Sequence, residues 1–285
     1  MQHGPSRTTV VTAMHRAARL LLDDPPYILS DTFARAFAGY ASDAELLDTL
    51  ASLKLIDFPR MRTVFTLRSR YAEDELARAA AHGITQYLIL GAGLDSFAYR
   101  RPISMAAVQV FEIDHPVSQD WKRTRVGQLG IAEPPELHHI PIDFERNTLA
   151  EGLREGSVDL GKPVFVSWLG TTQYLTTEAV VQTLHDIGRV TSPGSQIVLQ
   201  FIVPSTSLAD DEAALVHALA ARAASLGEPW LSFFHPAEIE DHLHSAGFDD
   251  ITSFDHKQAT DRYLRGRFDC LSLPAYFHMM SARRG

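Results

Sequence analysis

Tyr87–Tyr99 reads YLILGAGLDSFAY: a short apolar run enters Gly91-Ala92-Gly93 directly and leaves through a polar stretch. A run without strict alternation suits a strand covered on both faces, as in a parallel sheet. Two glycines let the chain turn tightly and bring its backbone close to a ligand. In doubly wound sheets the carboxyl end of such a strand, at the topological switch point, is where nucleotides bind.

The flanking residues sharpen this. The next strand ends in Glu112-Ile113-Asp114, about 20 residues beyond the glycines, where an acid accepts hydrogen bonds from ribose hydroxyls. Each such charge-assisted bond is worth about 1.5–3 kcal/mol. The dinucleotide pattern G-x-G-x-x-G is only half met, because Ser96 holds the third glycine position and Asp95 intrudes into the turn. A carboxylate there repels a pyrophosphate but suits a cationic ligand, such as a sulfonium carrying an ammonium group. The turn therefore favours S-adenosylmethionine over NAD. The third strand ends Pro141-Ile142-Asp143-Phe144, where an acid and an aromatic can take an adenine, or Asp143 can simply cap the following helix.

Outward from the turn, five β-rich runs follow one another: Gln86–Leu90, Val108–Ile113, Leu137–Ile142, Val164–Leu169 and Gln196–Val203. Helical patterns separate several of them, notably Thr177–Val190, and this alternation predicts a doubly wound α/β sheet. Further on, Asp210–Leu226 reads as a helical insertion near 208–227, and Pro236–Ala246 as another helix. Ile251–His256 and Tyr276–Arg283 are two more strand candidates. Before the sheet, the pattern predicts helices over Thr12–Leu22, from a Ser30-Asp31 cap through Phe37, and over Arg60–Ala81. The organisation expected is a helical N-terminal cap over 1–82 on an α/β core over 83–285.

Composition closes off several classes. The 285 residues are 45% hydrophobic, ample for one sizeable core. With 26 Lys+Arg against 35 Asp+Glu, the net charge of −9 makes nucleic acid and anionic membrane poor partners. One cysteine, Cys270, permits no intrachain disulfide, which suits a reducing compartment. The longest apolar runs, such as Val164–Val166, fall far short of the roughly 20 residues a membrane span needs. A cytoplasmic location is expected, and no oligomer signature stands out.

These residues also carry a resemblance. ITQYLILGAGLDSFAYR, VFEIDHP, IPIDFE and SWLGTTQYLTTEAV resemble the leucine carboxyl methyltransferase family, in its bacterial branch of O-methyltransferases tied to polyketide and other secondary metabolism. EPWLSFF at 228–234 and RYLRGRFD at 262–269 extend the similarity to the C-terminal part. The resemblance implies a class I, Rossmann-like fold of seven strands, the last antiparallel, capped by N-terminal helices. It implies that Gly91, Ala92 and Gly93 approach the methionine part of S-adenosylmethionine, with Asp95 in the same turn. Asp114 would hold the ribose, and Asp143 and Phe144 the adenine. Arg68, in Leu67-Arg68-Ser69-Arg70, matches a family segment whose first arginine binds the cofactor carboxylate; without the resemblance it reads as a solvated helix face. Where eukaryotic members carry a glutamate, this chain has Leu169, which points away from a protein C-terminus as acceptor.

For catalysis the sequence offers little. A carboxylate acceptor needs no base, whereas an alcohol or phenol gains about 10²–10⁴-fold from one. His235 lies among Phe233 and Phe234 just before a helix, so it is either a base or a helix start. Gln173 and Tyr174 follow the fourth strand, where they can orient an acceptor oxygen, although Tyr174 suits the core equally. Trp168 either faces the sulfonium, an attraction of roughly 0.5–2 kcal/mol, or is core. His138-His139 point to opposite faces of a strand and His242 and His244 diverge on a helix, so no metal site is expected. Two rivals share the glycine turn: an NAD-dependent oxidoreductase, and a nucleotide-binding protein without turnover. The expected function is an S-adenosylmethionine-dependent O-methyltransferase acting on a carboxylate or hydroxyl of a small-molecule acceptor.

Overall fold

Every residue of β1 (Gln86–Leu90) is buried, and the strand lies between parallel neighbours on both sides. In this computed structural model, which describes residues 6–143 and 148–285, six strands follow. They are β2 (Gln109–Asp114), β3 (Leu137–Pro141), β4 (Phe165–Trp168), β5 (Gln196–Ile202), β6 (Phe248–Asp255) and β7 (Phe277–Arg284). Their order is β3-β2-β1-β4-β5-β7-β6, with β7 antiparallel to both neighbours. Strand order reverses beside β1, and the connections leaving β1 and β4 part there to open a crevice.

The expected strands are all present, with one difference at the C-terminal edge. β6 begins at Phe248, ahead of the expected Ile251. Its register shifts between Asp249 and Thr252, and Asp250 takes a φ of 47°. Two consecutive aspartates hide the strand's start, and the bulge absorbs them.

Four helices precede the sheet: α1 (Arg7–Leu22), α2 (Ala34–Phe37), α3 (Asp43–Ser52) and α4 (Phe58–Ala81). α1 starts before its apolar stripe does, because the Ser6 hydroxyl accepts the Thr9 N–H at 3.1 Å. α3 lacks a strong stripe, but Ser42 and Glu45 bracket its first turn: Ser42 Oγ accepts the Glu45 N–H, and Glu45 accepts the Ala41 N–H. The helices after β1 are α5 (Phe97–Arg100), α6 (Pro116–Gln128), α7 (Leu149–Glu155), α8 (Thr177–Val190), α9 (Asp210–Ser225), α10 (Pro236–Ser245) and α11 (His256–Ala259). α9 is the insertion after β5. Among the described residues no helix is long and apolar enough to cross a membrane.

Two apolar layers cover the sheet. On one face Val64, Leu67, Tyr71 and Leu76 of α4 join Ile89, Val110, Phe277 and Met279 of the strands. α4 thereby belongs to the core as much as to the cap. On the other face Leu184 and Ile187 of α8 and Ile239 and Leu243 of α10 join Val166, Leu199 and Phe201.

One buried charge pair fastens α6 to the sheet near the glycine turn. Lys122 Nζ lies 2.7 Å from both Glu112 oxygens and donates to the Asp95 carbonyl at 2.6 Å. Burial pushes the Glu112 pKa up, and Lys122 opposes the shift. Glu112 is thus a structural acid rather than a second ribose ligand. Removing one partner of such a pair strands a buried charge. Lys122→Met should therefore destabilise by about 3–5 kcal/mol, while the double variant with Glu112→Gln should recover much of that loss. Urea unfolding of the single and double variants measures this; equal losses in both would show that the pairing is not what matters.

Candidate active site

A cavity of about 610 Å³ opens at the carboxyl ends of β1 and β4, within the range of small-molecule and cofactor sites. Its floor is the glycine turn. Gly91 has a φ of 69°, and a Cβ there would stand 2.4 Å from Thr171 Cγ2. Gly93 has a φ of 49°, and its Cβ would meet Thr9 Cγ2 of α1 at 2.9 Å. Both positions thus demand left-handed backbone and the absence of a side chain. The N–H groups of Gly91 and Ala92 both point at the Ile113 carbonyl, at 2.8 and 3.3 Å.

Asp114, at the end of β2, holds this turn in place. Its Oδ2 accepts the Gly93 N–H at 2.5 Å and its Oδ1 accepts the His115 N–H at 2.7 Å. Burial raises its pKa, and these two hydrogen bonds pull it back. Asp114 lines the cavity, and each oxygen keeps a further lone pair for a ligand hydroxyl. Asp95 lines the cavity too, with its Oδ1 accepting the Phe97 N–H at 2.7 Å at the start of α5.

Arg68 projects from α4 into the same cavity. The other buried arginines nearby are compensated: Arg16 by Asp31 at 2.8 Å, Arg62 by Asp23 at 2.6 Å, Arg100 by Glu73 at 2.5 Å. Arg68 has no carboxylate partner among the described residues. It donates to Gln200 Oε1 at 3.2 Å and lies over the Phe65 ring at 4.8 Å. Burial lowers its pKa to about 10, with Arg16 adding to the effect. Gly170, at a φ of 69°, makes room for it, since a Cβ there would fall 2.2 Å from Arg68 Nη1. An uncompensated, half-buried guanidinium in a cavity is suited to receive an anion, and its fork matches a carboxylate.

The remaining expected residues divide. Gln173 and Tyr174 both line the cavity, from the turn after β4. Gln173 is buried and donates to the Gly170 carbonyl at 3.2 Å, while its own carbonyl accepts the Leu231 N–H at 2.6 Å. Asp143 is half-buried at the end of β3, next to Ile142, whose N–H donates to the Asp114 carbonyl at 2.9 Å. It does not line the cavity. Phe144 lies outside the described residues.

Two expectations are corrected. Trp168 does not reach the cavity: alternation along β4 sends Ser167 to the α4 face, bonded to Tyr87 at 2.8 Å, and Trp168 to the apolar layer on the opposite face. His235 is exposed and is the N-cap of α10. Its N–H donates to Glu238 Oε2 at 2.7 Å and its ring meets Ser207 Oγ at 3.1 Å, away from the cavity. The aromatic run around it misleads because Phe234 turns into the core.

α1 contributes to the cavity through residues that its apolar stripe does not single out. Thr9, His15 and Arg16 all line the cavity. Arg16 donates to the Leu94 carbonyl at 2.6 Å, and Thr8 donates to Glu228 Oε2 at 2.5 Å, joining the start of α1 to the chain after α9. Buried polar residues on one helix face were the available signal, but periodicity does not say which of them face a ligand.

Residues 9–188 match the family model of the leucine carboxyl methyltransferases. The chain belongs to this family. A Bacillus subtilis protein named as an S-adenosyl-L-methionine-dependent methyltransferase is 32% identical over 75% of this chain and 70% of its own length. A Mycobacterium tuberculosis protein named in the same way is 31% identical over 71% of this chain and 67% of its own length. The crystal structure of a Thermobifida fusca protein named as a methyltransferase shares the fold, with a TM-score of 0.58 at 18% identity, covering 99% and 96% of the two chains.

In this methyltransferase the Arg68–Gly170 contact generates a test. Gly170→Ala should displace the guanidinium, and Arg68→Met should delete it. Each is expected to weaken binding of S-adenosylhomocysteine about tenfold or more, equivalent to about 1.4 kcal/mol. Calorimetric titration measures it, and unchanged affinity in Arg68→Met would remove the arginine from the site.

Proposed function

We propose that this S-adenosylmethionine-dependent methyltransferase moves its methyl group to an oxygen, carboxylate or hydroxyl, of a small metabolite in the cytoplasm. The observation that carries the reading is the uncompensated Arg68, which lines the same cavity as the glycine turn and Asp114. Arg68 would take the methionine carboxylate, and Gly91, Ala92 and Gly93 would pass close to the methionine chain. Asp114 would hold the ribose hydroxyls while retaining its hold on the turn. Asp95 would add negative charge near the ligand's cationic end. Asp143, which does not itself line the cavity but follows Ile142 bonded to Asp114, would take the adenine together with Phe144 where the ligand extends past the ribose.

Beyond Arg68 the cavity becomes apolar, through Met61, Phe65, Leu219 and Tyr276. This chamber suits an aromatic or polyketide-like acceptor of secondary metabolism. Leu169, at the place of the eukaryotic glutamate, lines it without charge. Gln173 and Tyr174 would orient the acceptor oxygen. The helices of 1–82 and α9 would cover the core of 83–285 and keep out water, which strengthens every polar contact inside.

S-adenosylmethionine supplies an activated methyl, and the protein's task is alignment. Holding oxygen, methyl and sulfur in line at near-contact distance is worth roughly 7–11 kcal/mol of the barrier. The residues named are suited to orientation, and none of them needs to form a bond to substrate. NAD remains the control ligand, because it tests the half-met glycine pattern directly.

The test is calorimetric titration with S-adenosylhomocysteine and NAD in parallel, followed by labelled-methyl transfer to panels of acids and phenols. Micromolar binding of S-adenosylhomocysteine alone is expected, and Asp114→Ala should abolish it. Binding of NAD alone, or full affinity in the Asp114 variant, would sink the assignment.

A further inference from the structure

Among the described residues, three buried polar atoms of cavity-lining side chains have no hydrogen-bond partner: Thr171 Oγ1, His15 Nε2 and Trp230 Nε1. The first belongs to the glycine-turn end, where Thr171 packs against Gly91; the other two do not. Buried polar atoms are almost always paired, so unpaired ones at a single cavity ask for a ligand that completes them.

The chemistry of His15 Nε2 and Trp230 Nε1 is determined. His15 Nδ1 lies 2.8 Å from the Val11 carbonyl oxygen. A carbonyl only accepts, so Nδ1 carries the proton and Nε2 of the neutral ring is a bare acceptor. The ring stays neutral: burial drives its pKa down to about 4, the Val11 bond opposes, and Arg62 and Arg68 add to the fall. Phe58 and Phe65 hold it, at centroid distances of 4.9 and 5.0 Å. Trp230 Nε1 is donor only. Its ring packs in the apolar cluster of Met61, Leu219 and Tyr276, which Phe65 also joins. One phenylalanine thus links His15 and Trp230.

We propose that the methyl acceptor is an uncharged hydroxyl compound with an apolar ring body, a phenol or enol in chemical class, whose O–H donates to His15 Nε2 and which accepts the Trp230 N–H through an oxygen. This rests on the methyltransferase reading above and narrows it. A carboxylate has no proton to offer Nε2 and would set lone pair against lone pair. Lys54 and Arg222 also line the cavity, but both are exposed, where water screens them and leaves an acid little gain.

The step balances. The O–CH₃ bond forms as the S–CH₃ bond breaks with its electron pair left on sulfur, and the hydroxyl proton passes to Nε2. An imidazolium replaces the sulfonium as the positive charge and gives its proton to water when the products leave. A protonated aryl ether is far more acidic than an imidazolium, so even this weakly basic ring takes the proton. His15 is in this sense a catalytic residue.

The test uses the full chain with labelled histidine, saturated with S-adenosylhomocysteine and followed by imidazole-nitrogen NMR. Naphthol and naphthoic acid, which share one ring skeleton, are the probes, and His15→Phe assigns the signal. The expected result is an unprotonated Nε2 that S-adenosylhomocysteine leaves alone, naphthol shifts towards the hydrogen-bonded position, and naphthoic acid does not. With S-adenosylmethionine, naphthol should be methylated in preference to naphthoic acid. His15→Phe should then lose about 10²-fold in kcat/KM with affinity for S-adenosylhomocysteine unchanged. Trp230→Phe keeps the packing and should raise KM for naphthol.

A shift caused by S-adenosylhomocysteine itself would place the ring in the cofactor site and overturn the proposal. So would preferred methylation of the acid, or failure of naphthol to bind the complex. Failure of S-adenosylhomocysteine to bind would bring down the methyltransferase reading and this inference together, and is distinguishable because it appears before either probe is added.

Discussion

The Asp114 carboxylate is the constraint on which the rest of the site depends. It binds two backbone N–H groups, those of Gly93 and His115, and so ties the loop after β1 to the loop after β2. That tie holds Gly91 and Gly93 in left-handed conformations, with Thr171 and Thr9 packed where side chains would stand. The turn is therefore built from three directions: a strand end, the loop after β4 and the first helix. None of these contacts is available to a chain that merely contains two glycines near each other.

The same economy governs the charges. The arginines buried around the cavity are mostly matched within the chain, and Asp31 shows how tightly. It accepts from Arg16, Ser96 and the Ala34 N–H at once, and against burial the charges of Arg16 and Arg100 and the hydrogen bonds from Ser96 and Arg16 hold its pKa low. Against this background the unmatched Arg68 is the exception. Around it Gly170 yields space, Gln200 supplies only a neutral oxygen, and Phe65 lends a ring face. A carboxylate from within the chain would pair the guanidinium and close it to the carboxylate proposed for it.

Much of this was legible in the residues themselves. YLILGAG, followed by a strand ending in Asp114, located the floor of the cavity, because close backbone approach has few residue solutions. The central strands β1, β4 and β5 were legible because each is apolar over most of its length. What sequence could not convey was direction across the sheet and around a helix. Trp168 and Ser167 are neighbours in sequence, and which of them faces α4 depends on where β4 enters the ladder. His235 has an aromatic neighbourhood in sequence but not in space. His15 is the reverse, an inconspicuous histidine on a helix whose apolar stripe lies next to it, enclosed by Phe58 and Phe65 only when α4 packs across. The Ser42–Glu45 bracket of α3 was a readable signal that the weak stripe behind it obscured.

The cavity's two ends are chemically unlike, and that difference has a mechanical basis. At the turn end, Asp114, Asp95 and the N–H groups of Gly91, Ala92 and Gly93 are anchored by hydrogen bonds, so a bound ligand meets fixed dipoles. At the far end the wall comes from α9, the chain beyond it and the loop before α4: Ile56, Leu219 and Trp230 meet Met61 and Tyr276 in an apolar cluster, while Glu212 bonded to Arg60 and Glu228 bonded to Thr8 tie the elements from behind. An apolar wall grips by shape and area and discriminates weakly between similar bodies. Discrimination must then come from the few polar atoms left in it, and an atom without an internal partner is the one that a wrong ligand leaves unsatisfied. A fold that fixes its cofactor with a rigid turn and its acceptor with an adaptable wall can keep the first constant while the second is altered residue by residue.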